Sequence, residues 1–230
     1  MTEFFGNAAY FAVLACLGLY QAGAWLKKKT GLAFLNPLLV SIAGGVGVLL
    51  LLRVDSTSFA RAAQPLSWLL TPATVCLAVP LYRQIELLKK HYKAICLGIL
   101  SGVLTSLVTV LALGLVFGIS HAEYATILPK SVTTPIGMDL ADEWGGIPSL
   151  TVLTITISGI LGNALAPKLW KLFGITEPIA RGICIGTASH ALGTAKAMEE
   201  GEIEGAMSGL SIAVAGVLTV LITPLFANLI

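Results

Sequence analysis

Five stretches of this chain run past twenty residues without a charge: Phe4–Leu26, Thr30–Leu52, Ala94–Ser120, Ile147–Pro167 and Gly205–Ile230. About 20 apolar residues, wound as a helix, cross the roughly 30 Å of hydrocarbon in a bilayer. No water is available there, so a spanning backbone must satisfy its own polar groups as a helix or a closed barrel. No run shows the sustained alternation of a barrel strand. A sixth stretch, Ala62–Tyr82, is long enough but is cut by Pro65, Pro72 and Pro80.

Composition agrees with a bilayer as solvent. Of the 230 residues, 56% are hydrophobic and 11% charged, with mean hydropathy +0.89. A soluble domain carries about a quarter charged residues. The expected fold is an all-α polytopic membrane protein, one transmembrane domain over residues 1–230 with about six transmembrane helices. A net charge of +2, scattered along the chain, gives no footprint for nucleic acid. Cys16, Cys76, Cys96 and Cys184 each lie in an apolar run without C-x-x-C spacing, so they read as small hydrophobes. The first residues lack the basic leader and cleavage site of a signal peptide, and Phe4–Leu26 reads as a retained span.

Two further apolar segments, about 124–138 and 182–195, are too short and interrupted to cross. Lysine and arginine excess marks cytoplasmic loops. Lys27, Lys28 and Lys29 follow the first span; Arg83, Lys89, Lys90 and Lys93 follow the third. Lys168, Lys171 and Arg181 follow the span that begins at Ile147. All of these share the cytoplasmic face only if both short segments enter and leave on one side. The charge pattern therefore predicts re-entrant hairpins at 124–140, from outside, and at 182–198, from the cytoplasm. It also puts the N-terminus outside. "GVLT" recurs at 102–105 and 216–219, which suggests repeat halves 30–120 and 121–230 in an inverted-repeat transporter architecture.

The first break, "PKSVTTPIGM", carries the strongest chemistry. Pro129 and Pro135 interrupt a helix and free carbonyl groups. Lys130 costs about 3 kcal/mol at the centre of a membrane on insertion scales, a cost an anion would offset. Ser131, Thr133 and Thr134 add hydroxyl donors beside a helix start, where free N–H groups favour negative charge. The plainer reading is a lysine snorkelling out of a loop whose threonines cap a helix. The second break, "GTASHALGTAKA", offers Thr187, Ser189, His190 and Thr194 among small residues that uncover the backbone. His190 is either a proton-coupling group or a hydrogen-bonded packing residue. Asn36 and Thr71 precede two other proline breaks, as candidate site residues or as simple kinks. An enzyme is not indicated: Lys130–Ser131 and Ser189–His190 are sequence neighbours without an acid partner, and His121 with Glu123 makes no metal site.

Together "GLAFLNPLLV", "TPATVCLAVPLYRQ", "PKSVTTPIGM", "GGIPSL" and "GTASHALGTAKAMEEGE" make the chain resemble the LrgB/CidB family along essentially its whole length. That resemblance implies a multi-pass protein of the bacterial cell membrane, working with a smaller LrgA/CidA-type membrane partner and without a cofactor. Two activities follow from it. One is transport of small carboxylates resembling pyruvate, glycolate or glycerate. The other is a holin- or antiholin-like control of murein hydrolase activity and lysis. Glycine pairs four apart, such as Gly98/Gly102 and Gly205/Gly209, allow close helix contact and point to a homo-oligomer in the lipid bilayer.

Overall fold

The structure, a computed structural model, describes residues 9–30, 37–69, 72, 75, 76 and 78–230. Among them the chain is helical, without a strand, and it divides into two compact units, Met1–Cys76 and Leu77–Ile230.

The first unit holds α1 (Ala9–Thr30), α2 (Pro37–Leu52), α3 (Ser56–Ala62) and α4 (Gln64–Trp68). Lys27, Lys28 and Lys29 sit in the last turn of α1, where cations suit the helix dipole. α1 and α2 touch at Gly23: a Cβ there would lie 2.8 Å from the Pro37 main chain, so only glycine allows the approach. After α2 the chain turns at Arg53 (φ 51), and Asp55 caps α3 by accepting the Ser58 N–H at 2.9 Å. Val40–Leu52 and Ser56–Ala62 meet at 119°.

The second unit contains α5 (Ala78–Arg83), α6 (Ile85–Phe117), α7 (His121–Ile127), α8 (Thr134–Glu143), α9 (Pro148–Leu172), α10 (Pro178–Glu200) and α11 (Glu202–Ala227). Its long members pack differently: α6 buries an aliphatic row, Ile95, Ile99, Val103, Leu107 and Val110, whereas α11 buries small and hydroxylated residues. α11 buries Ser208, Ser211, Ala215, Gly216, Thr219 and Thr223 and exposes Val217, Leu221 and Leu225. Small residues let helices approach in lipid, where apolar side chains gain nothing by hiding. The buried hydroxyls are quieted locally: Ser211 donates to the Met207 carbonyl and Thr223 to Thr219, both at 2.7 Å. α6 breaks near its start, at His91 (φ −113, ψ 15), which separates the basic stretch 85–90 from the apolar span.

Between the long helices lie two hairpins. The first is α7, a turn at 128–133, and α8. Its ends meet: His121 has Nε2 3.0 Å from the Trp144 carbonyl oxygen and Nδ1 2.7 Å from that of Ile230. Thr126 binds it to α9, accepting the Ile147 N–H at 2.8 Å and, through its carbonyl, the Thr151 hydroxyl at 2.9 Å. The second hairpin is α10 itself, two half-helices folded back at His190 (φ 42, ψ −137). A Cβ on Gly182 would meet the Glu204 carbonyl at 2.5 Å, and one on Gly205 would meet Met198 at 2.8 Å. Residues 182 and 198 thus reach the same turn of α11, as chain reversal requires.

The hairpins enter from opposite ends of this unit. The second has its ends where Arg83 pairs with Glu202 (3.7 Å) and Arg181 lies over the Trp170 ring (5.6 Å). The first has its ends at His121, Trp144 and Ile230. This matches the arrangement expected from lysine and arginine placement. The spans can be counted over the described residues alone. Among the described residues α1, α6, α9 and α11 are long and apolar enough to cross, and the bent pair of α2 and α3 would make a fifth. In the run Thr30–Leu52 the described helix is α2, and residues 31–36 lie outside the described residues; in Ala62–Tyr82 the described helices include the short α4 and α5, with undescribed residues between.

Candidate functional site

A cavity of about 950 Å³ lies wholly within the second unit. One wall is a single face of α6, with Gly98, Ser101, Gly102, Thr105, Ser106 and Thr109; these positions recur every three or four residues. The facing wall is the first half of α10, with Ile179, Ile183, Cys184 and Thr187. At one end are His91, Ile175 and Glu177, near the lysine- and arginine-rich ends of the helices; at the other is the tip of hairpin one, Lys130 and Ser131.

The tip is built by its turn. Leu128, Pro129 and Val132 are buried and anchor it. Lys130 and Ser131 between them are left half-buried on the cavity side. The Lys130 ammonium donates to Ser131 Oγ at 3.0 Å and to Ser106 Oγ at 3.2 Å, and the two serine oxygens are 3.0 Å apart. No carboxylate pairs with Lys130 among the described residues. Its charge is met by two hydroxyl dipoles, which solvate a cation without neutralising it. A small anion entering the cavity would find an ammonium and two reorientable hydroxyls at one point. Charge-assisted hydrogen bonds are the strong ones, each about 1.5–3 kcal/mol.

Of the residues expected from the sequence, Lys130, Ser131 and Thr187 come together on this cavity. Thr187 donates its hydroxyl to the Ile183 carbonyl at 2.7 Å and turns its methyl to Gly102, where a Cβ would approach to 2.6 Å. It therefore shapes the wall. Thr133 and Thr134 start α8, with Thr133 as an N-cap that makes no side-chain cap bond; neither lines the cavity. Ser189, His190 and Thr194 also lie elsewhere, packed between α10, α9 and α11. His190 is buried and donates from Nε2 to the Ile155 carbonyl at 3.1 Å. Thr194 donates to the His190 carbonyl at 3.1 Å and shares a 2.7 Å hydrogen bond with Ser208. Ser189 is buried against Gly162, its hydroxyl without a partner among the described residues. Asn36 and Thr71 fall outside the described residues.

Ser106 was not foreseen. It sits in the middle of the uncharged run Ala94–Ser120, and serine there is ordinary. A signal was present nonetheless: Gly98, Ser101, Gly102, Thr105, Ser106 and Thr109 make a small, hydroxylated stripe on an otherwise aliphatic helix. Asn163 was also missed; its amide donates to the Leu192 carbonyl at 2.8 Å and holds the second half of α10.

A family model described as the LrgB-like family matches residues 16–229. A protein named antiholin-like protein LrgB from Bacillus mycoides (strain KBAB4) is 34% identical over 218 residues, 94% of this chain and 95% of its own length. Proteins of that name from Bacillus cereus (strain B4264) and Bacillus anthracis (strain CDC 684 / NRRL 3495) are each 33% identical over 218 residues, with the same coverage. No solved structure matches.

Proposed function

The chain belongs to the LrgB-like family of multi-pass membrane proteins, and we propose that it serves an antiholin-like system by passing small carboxylates across the bilayer through the Lys130 cavity. The antiholin-like role is the one that the relatives' names favour. The molecular activity rests on one observation: an ammonium at the deep end of a cavity between apolar helices, held by Ser106 and Ser131 and by no carboxylate among the described residues. A charge at membrane depth is costly, and such residues mark pathways when they face a cavity. Two opposed hairpins whose tips lie at the middle of long helices support the same reading, since transporters place their sites at interrupted segments. The substrate's carboxylate meets Lys130, Ser131 and Ser106; its remainder lies along the α6 stripe. A small LrgA/CidA-type protein is the proposed membrane partner, and the lysine-rich end of the second unit is the proposed cytoplasmic side.

The test is uptake of pyruvate or glycolate by proteoliposomes. Saturable uptake by the wild type, lost in Lys130→Ala, supports transport. A chain that carries neither acid, yet controls lysis equally well with Lys130 or alanine, acts as an antiholin-like regulator without transport.

A further inference from the structure

The cavity stops at Lys130, but the interior behind it is not featureless. A crevice of about 10 Å³, room for no more than one water, shares Ser106, Ser131 and Thr187 with the cavity and continues between α6, the hairpin-one tip and α11. Its wall is aliphatic and closed: Leu107 on α6 is 1% exposed and Leu128 at the tip 2%. Thr219 on α11 also lines it and is 6% exposed. Thr219 ends the second "GVLT", and Thr105, which ends the first, lines the open cavity.

From this we infer that Leu107 and Leu128 form the gate that closes the Lys130 site toward the end of the unit bearing His121, Trp144 and Ile230. An ion cannot share a dry, one-water crevice lined by leucine, because it would lose its hydration without a replacement. The described conformation is therefore open toward the lysine-rich end and shut toward the other. Opening requires the tip to part from α6, and the turn at 128–133 moves Lys130 and Leu128 together. Movement of the charge and release of the gate are one event.

The inference rests on the proposed transport reading, but its test needs no substrate. Cys184 lines the cavity and is exposed. In a Cys16→Ser, Cys76→Ser, Cys96→Ser background it is the sole thiol, since the chain has four cysteines. A membrane-impermeant maleimide is applied to each face of oriented vesicles. The gated protein labels from the lysine-rich face and stays at background from the other. Leu107→Ala and Leu128→Ala label from both faces, with second-face labelling raised at least about tenfold, as one decade of lost barrier gives. Labelling from the lysine-rich face confirms that each variant is folded; if Leu107→Ala loses it, Leu107→Val replaces it and is read the same way. One-sided labelling in folded Leu107 and Leu128 variants, or two-sided labelling in the parent, overturns the gate. The gated pattern in a protein that fails to take up pyruvate or glycolate leaves the gate standing and removes the transport reading.

Discussion

The two hairpins are made alike and finished differently. Each returns to the end of the unit it came from, and each turns among small residues and hydroxyls. At the first tip the polar groups face open space, with Lys130 held only by Ser106 and Ser131. At the second they face protein: His190 is spent on the Ile155 carbonyl and Thr194 on Ser208 and the His190 carbonyl. A polar group with partners costs little and does little; one that is desolvated and aimed at a void is available to a ligand. The contrast leaves the first tip open to the proposed ligand, while the second is braced against protein.

The sharpest way to break that contrast is Lys130→Ala. Losing one charge-assisted contact of about 1.5–3 kcal/mol weakens carboxylate binding roughly ten- to hundredfold. Uptake should fall to background while membrane insertion is kept. Lys130→Arg should rescue only in part, since a planar fork does not reproduce a compact ammonium between two serines. The next effect belongs to the second tip and reads out as stability. A Cβ on Gly162 would lie 1.6 Å from Ser189 Oγ, so Gly162→Ala forces the hairpin off α9. Overpacking of this kind costs about 1–3 kcal/mol and should lower the thermal midpoint in detergent. Residual folded protein should retain its carboxylate affinity. Had Ser189 been part of the anion site, affinity would fall with stability.

Smaller still is His190→Asn. As a brace it loses a hydrogen bond of about 1 kcal/mol, and the pH dependence of uptake is unchanged. A flattened pH profile would return His190 to the coupling role. The smallest effect lies at the water-facing start of hairpin one. The Ser120 hydroxyl and then its N–H, both donating to Glu123, hold that carboxylate below its usual range. A lowered carboxylate contributes stability above the unfolded value and loses it as pH falls through the folded one. The wild type should soften slightly on acidification below the ordinary glutamate range, and Glu123→Gln should lack that step in pH-resolved thermal melts.

What the sequence disclosed follows from the same physics. Long uncharged runs are legible because a bilayer permits little else. The hairpins were legible because Pro129, Pro135, Gly186 and Gly193 interrupt apolar runs too short to cross, and lysine placement then called for entry from opposite ends. Lys130 stood out because a charge among leucines demands a reason. The span count is harder to read where prolines interrupt the apolar runs. Pro37 and Pro65 each stand in the first turn of a described helix, α2 and the short α4. The roles of Thr133 and His190 were not legible, since composition cannot tell a hydroxyl facing a cavity from one facing a helix. Ser106 was hidden for the opposite reason: its partner is 24 residues away in sequence and meets it only in the folded unit.

The most direct measurement is equilibrium binding of labelled pyruvate or glycolate to purified protein, comparing wild type, Lys130→Ala, Ser106→Ala and His190→Asn in one detergent. The account predicts saturable binding by wild type and His190→Asn, weakening in Ser106→Ala, and loss in Lys130→Ala. Equal binding by wild type and Lys130→Ala, or loss in His190→Asn with Lys130→Ala intact, would contradict it.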